Sequence, residues 1–226
     1  MSYMWQDFNI KPFPAETIVY RDGVFCPELS TIESGVIDKN YEKPVHIIYV
    51  GEIDGEKELK IDLDIPNQSV FLSVNVKNNF PAFFNIFIKN TGKNSKIRGH
   101  IILDNYNNLT YNCVANHCAP DTEILLQNKL VANRGSVSKL HGTAIIDKNC
   151  ENCESDITFT ALATPDAKIT FLPAQRISSV PKRADHGASI YSPKPIQIQY
   201  LRVAGLGTIE LNDVMRAAFM NDFSLF

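Results

Sequence analysis

From about residue 44 to about residue 191 the chain is written almost entirely in short segments with β patterning. Leu59-Lys60-Ile61-Asp62-Leu63-Asp64-Ile65 alternates apolar and polar residues strictly. That is the period of a strand with one buried face. Val45–Val50, Val70–Val76, Phe83–Ile88, His100–Leu103, Glu123–Leu126, Thr143–Ile146, Ile157–Thr160 and Ile169–Leu172 also read as strands. Between them lie turns rich in Asn, Asp, Gly and Lys, at Asn78-Asn79, Asn90–Asn94, Asn105–Asn108 and Asp147–Asn149. Many short strands joined by polar turns confine the chain to an all-β body. A sandwich is the commonest such body. A β-helix competes with it, because the turns recur loosely without a strict repeat.

The period changes after residue 195. Leu211, Val214, Met215, Ala218 and Phe219 fall on one helical face. Thr208 is a plausible N-cap, with Glu210 and Asp213 complementing the helix dipole. Gly205-Leu206-Gly207 breaks this helix from the one before it. At the other end Pro12 and Pro14 oppose a helix over residues 1–17. Ile18 to Phe25 reads as a hairpin around Asp22-Gly23. These shifts divide the chain into an N-terminal segment at 1–40, a β core at 41–192 and a helical tail at 193–226. The tail can serve as a cap on an open β core, as a docking surface, or as both.

Charge excludes one large class of partner. The net charge is −3 and the pI is about 6.0, so no basic field or stripe invites nucleic acid. No apolar run approaches a membrane span. The opening residues Met1 to Asp7 lack the regions of a signal peptide, and the expected location is cytoplasmic. Five cysteines, Cys26, Cys113, Cys118, Cys150 and Cys153, are an odd number. They fit reduced thiols better than a secreted disulfide framework.

Few residues carry chemistry. Cys150-x-x-Cys153 has the spacing of two thiolates on one tetrahedral metal. It sits in a polar turn with no second C-x-x-C to complete a site, so surface thiols are the plainer reading. Cys113, between Tyr111 and Val114, reads as a small core residue. His46 and His100 lie in or beside apolar strands and read as structural. His186, in Asp185-His186-Gly187-Ala188-Ser189, carries an imidazole that can act as a metal ligand. Its plainer reading is a hydrogen-bonded residue near the end of a β core. No G-x-S-x-G, P-loop, H-E-x-x-H or dinucleotide glycine motif is present.

Three blocks, in order, carry a resemblance. They are Ile18 to Ser30 (with Asp22-Gly23-Val24-Phe25-Cys26-Pro27-Glu28-Leu29-Ser30), His117-Cys118-Ala119-Pro120-Asp121-Thr122, and Asp185–Ser189 with the helical tail. Together they resemble the SufB/SufD family of iron–sulfur cluster assembly scaffolds, and SufD most. The resemblance spans most of residues 18–223, without the N-terminal helical region of longer members. It implies a right-handed parallel β-helix with a small C-terminal α-helical domain. It implies a non-enzymatic scaffold of the SUF complex, paired with a SufB-like subunit or with itself. It also implies an ABC-type ATPase, SufC, docked on the helices through Leu211, Val214, Met215, Ala218 and Phe219. The resemblance places His186 at the subunit interface and makes it the best single candidate for ligating the nascent cluster, where imidazole can replace Cys on iron. No stably bound cofactor is implied, only a transient iron–sulfur cluster.

The chain departs from the family at three positions. Ala184 stands where a Cys is usual, and Arg176 where a Glu is usual. The cluster-building Cys of SufB, expected near Ala167, is missing. Two further expectations compete with the scaffold. One is a metal- or cluster-carrying protein using Cys150 and Cys153. The other is a β-helix binding module or carbohydrate-active enzyme unrelated to cluster assembly.

Overall fold

The computed structural model describes residues 16–32, 34 and 43–221; the 1–15 part of the N-terminal segment, with Pro12 and Pro14, lies outside them. The order of elements is β1 (Glu16–Arg21), β2 (Val24–Phe25), a 3-10 turn at Pro27–Leu29, β3 (Val45–Leu63), β4 (Ser69–Asn90), β5 (Lys96–Asn105), β6 (Asn108–His117), β7 (Glu123–Ala132), β8 (Val137–Ile146), β9 (Glu154–Ala163), β10 (Lys168–Ile177) and β11 (Arg183–Tyr191), then helices α1 (Pro195–Val203) and α2 (Thr208–Asn221). Asp22 and Gly23, both with positive φ, turn β1 back on β2. β1 also pairs in parallel with β3 and so opens the stack.

The body is a parallel β-solenoid of about six turns. Each turn contributes one strand to each of two faces. One face stacks β1, the first half of β3, the first half of β4, β5, β7, β9 and β11. The other stacks the second halves of β3 and β4, then β6, β8 and β10. Hence β3 and β4 are long strands that bend, where the sequence suggested two short strands each. At the bend of β4, Asn78 turns inward rather than forming a loop. Its amide donates to Asn105 Oδ1 at 2.8 Å and to the Asn108 carbonyl at 3.3 Å.

A hidden repeat accounts for the stacking. Val70 pairs with Ile97, and Ile97 with Ile124, 27 residues on each time. Asn67, Asn94, Asp121 and Asn152 all hold left-handed φ of 58–61° at stacked corners. Asn and Asp tolerate that conformation better than other side chains with a Cβ. Asn94 reaches Asn67 Oδ1 at 3.3 Å, and Asn152 reaches Asp121 Oδ1 at 3.3 Å. The loose turn pattern of the sequence is therefore a ladder of one corner.

Inside, rings from the two faces interleave, with Phe84 on Tyr111 paired in register. Tyr49, Phe84, Tyr111, Phe159 and Phe171 form an aromatic column with neighbouring centroids 5.3–6.4 Å apart. Each such ring contributes roughly 1.5–3 kcal/mol on burial. The Tyr111 hydroxyl donates to Asn128 Oδ1 at 2.8 Å, and Asn128 donates to the Thr158 carbonyl at 3.0 Å. A second polar column runs Asn78, Asn105, Ser138, with Asn105 donating to Ser138 Oγ at 2.6 Å.

Alternation fails at several places on the outside, and one of them is a cluster. Ile102, Asp104, Val131 and Leu162 point outward by register yet are buried. Asp104, Val131, Leu162 and Tyr191 form one row across β5, β7, β9 and β11, and α2 lies against that row. α2 starts at Thr208 itself, and Glu210 accepts a hydrogen bond from the Gly207 amide at 2.7 Å. Thr208 is thus the first helical residue rather than the cap. Among the described residues no helix is long and apolar enough to cross a membrane.

Candidate functional site

Among the described residues the solenoid ends without a lid. β10 and β11 pair only with β8 and β9 in the described sheet, so the last turn leaves its inner side chains uncovered. Register identifies them. His186 stacks on Ile157, Ala184 on Ser155 and Ala188 on Phe159; these partners are interior residues, so the three face inward. On β10, Phe171, Pro173 and Gln175 stack on the buried Leu140, Gly142 and Ala144. His186 is exposed because no further turn covers it, although it occupies a core position. The open end is therefore an apolar floor, holding Ile169, Phe171 and Ile190, with His186 and Gln175 as polar groups. Gln175 Nε2 is buried with no hydrogen-bond partner.

Gln175 was not a candidate from sequence alone. Its signal was present in the alternation Ile169, Phe171, Pro173, Gln175, which places it in the inward set. Arg176 falls in the outward set, above Ile145, and is exposed. Ala167 packs against the main core just before β10. Beside His186, Arg183 pairs with Asp185 on the same strand and with Asp156 of β9 at 3.0 Å. Burial raises the Asp156 carboxyl, and Arg183 pulls it back down.

Beneath Ala184 lies a second, smaller core of Ile146, Cys150 and Cys153. Both thiols are buried, not displayed on a turn. Cys153 donates to the Ala119 carbonyl at 3.3 Å and lies 3.2 Å from Thr122 Oγ1. Burial raises the Cys150 thiol, as does the neighbouring Cys153. Cys118 is half-buried, 3.4 Å from Asp147 Oδ2, and pushed up to about 11 by burial first and then by that carboxylate. Among the described residues no group of three or more His, Cys, Asp and Glu side chains is placed to hold a metal ion. Cys113 is sealed in the aromatic core and pushed up to about 12 by burial. Cys26 is also buried. His46 bonds Ser73 Oγ at 2.8 Å on an outer face.

The helical residues separate into two groups. Leu211 is buried, and Met215 and Phe219 are half-buried, with the Phe219 ring 6.5 Å from Tyr191 on β11. Val214 and Ala218 are exposed. A larger exposed apolar set comes from Ile196, Tyr200 and Val203 of α1 with Ile209 of α2. Of the stripe read from the sequence, Phe219 meets the solenoid at Tyr191, while Val214 and Ala218 are left open.

A family model described as SUF system FeS cluster assembly, SufBD core domain, matches residues 73–219, from β4 into α2. No curated protein matches the chain. The matched region holds most of the solenoid, its open end and both helices, and the chain belongs to the SufBD core-domain family of SUF iron–sulfur cluster assembly.

Proposed function

We propose that this chain is a SufD-like scaffold subunit of the SUF complex, active in the cytoplasm and without catalytic chemistry of its own. The observation that carries this reading is the uncovered end of the solenoid. Two edge strands there offer unpaired backbone groups around inward-facing His186, a surface suited to a second solenoid end. A SufB-like subunit or a second copy of the chain completes the core. The nascent cluster is substrate at that junction, and His186 supplies imidazole to its iron. Ala184 supplies no thiol, so the remaining ligands come from the partner.

An ABC-type ATPase docks on the helices. Val214 and Ala218 contribute from α2, extended by Ile196, Tyr200, Val203 and Ile209, because Leu211 is buried and Met215 and Phe219 are half-buried. The test is an anaerobic pull-down of the native chain from its own cytosol, identifying partners and scoring iron. Recovery of an ABC-type ATPase, lost in Tyr200→Asp with Ile209→Asp, supports the docking surface. Recovery of a SufB-like chain, lost in His186→Asp, supports the interface. A monomeric, iron-free chain with neither partner rejects the proposal.

A further inference from the structure

β11 is an edge strand on an open end, a position that frays unless another element holds it. Its C-terminal residue, Tyr191, touches the ring of Phe219 on α2. One helical turn earlier, Arg216 Nη2 pairs with Asp104 on β5. Asp104 is 2% exposed and also accepts from Asn133 Nδ2 at 2.8 Å. The Arg216 guanidinium lies 5.7 Å above the Tyr106 ring. Lys129 of β7 donates to the Phe219 carbonyl at 2.9 Å and sits 5.3 Å above the Phe219 ring. Its charge meets the carbonyl end of the helix, where a cation is favoured.

These contacts tie three strands of one face together. Asp104 and Tyr191 stand at opposite ends of the same row, three strand spacings or about 14 Å apart. Arg216 and Phe219 reach the two ends from one turn of α2. The rest of the helical unit is thinly held: Ile196, Tyr200, Val203 and Ile209 are each at least 68% exposed. We infer that α2 is a strap, anchored by Arg216 on Asp104, that holds the end of β11 through Phe219 on Tyr191. Lifting the strap frees the strand that carries His186. This holds for the chain alone and does not depend on the scaffold reading.

Hydrogen exchange of the full chain tests it, read by peptide mass. Phe219→Ala removes the contact to β11, and the paired change Asp104→Asn with Arg216→Gln neutralises the anchor without leaving a lone buried charge. Both variants are expected to exchange residues 183–191 faster by about tenfold, with residues 123–132 unchanged. If 183–191 keeps its wild-type exchange while 208–219 exchanges faster, α2 does not hold β11 and the inference falls. An equal rise in 183–191 and 123–132 also overturns it, since that is loosening of the whole solenoid.

Discussion

Thr122 Oγ1 lies 2.8 Å from His117 Nδ1, and both side chains are sealed inside one turn of the solenoid. The Thr122 hydroxyl donates to the Ala119 carbonyl at 3.1 Å, which assigns the proton on Nδ1 to His117. Nε2 is left buried without a partner. The same corner is spanned one turn earlier by Ser95 donating to Asn90. The His-x-Ala-Pro-x-Thr segment is thus a staple across the corner.

That staple makes stability depend on pH. Burial holds His117 down to about 4, below the usual 6.5. A depressed pKa means the unfolded chain binds the proton more readily than the folded one. Stability is therefore full above about pH 6.5 and is lost as pH falls toward 4, at up to about 1.4 kcal/mol per unit. Urea denaturation at pH 7.0, 6.0 and 5.0 measures it. His117→Gln is expected to flatten this part of the profile; an unchanged slope in the variant rejects the assignment.

Asn105 is the centre of the inner polar column. Its carbonyl oxygen accepts from Asn78 and from the Asn107 amide at 3.0 Å, while its amide serves Ser138 and the Val137 carbonyl. Asn105→Ala leaves several buried groups unsatisfied at once. A loss of about 3 kcal/mol is expected by chemical denaturation, and a loss below about 1 kcal/mol would show that water fills the gap.

Gly92 has no room for a side chain. A Cβ there would lie 2.3 Å from the Ile65 carbonyl oxygen, and that contact is to backbone, which cannot swing aside. Gly92→Ala is expected to cost about 2–3 kcal/mol. Gly135, where nothing lies within 4 Å of an added Cβ but φ is +73°, is the control: Gly135→Asn is expected to be nearly silent, because Asn tolerates that φ. Equal melting temperatures for the two variants would contradict the packing seen here.

His186 separates stability from function. Because no turn covers it, His186→Ala is expected to change folding stability by less than about 0.5 kcal/mol. On the scaffold proposal the same change reduces iron recovered with the assembled complex by about tenfold, since one ligand to the substrate cluster is gone. Iron content of the co-purified complex, compared with its thermal melt, decides it. Undiminished iron removes His186 from the cluster site.

Legibility in the sequence followed the range of the interaction. The alternation at Leu59 to Ile65 and the helical spacing of Leu211 to Phe219 identified element types, because a strand or helix face is set by neighbours a few residues away. The sandwich and the β-helix remained open because both show that alternation, and the family resemblance favoured the solenoid. The 27-residue corner ladder escaped notice because its rungs, Asn67, Asn94 and Asp121, match in conformation rather than in surrounding sequence. Cys150 and Cys153 looked like surface thiols because their polar neighbours Asn149 and Asn152 take the turn, leaving both thiols to point inward.

By itself the sequence determined a β body with polar corners, a two-helix tail, and which side chains alternate inward. Tertiary structure decided what those inward positions meet. His186 and Ile157 share one interior column, yet one is exposed and the other buried, because a further turn covers Ile157 and none among the described residues covers His186. Likewise the apolar stripe of α2 was legible, but the row Asp104, Val131, Leu162 and Tyr191 that receives it is assembled from four strands spread over some ninety residues. Such a surface exists only after stacking, since burial depends on what packs above a residue and not on the residue's own pattern.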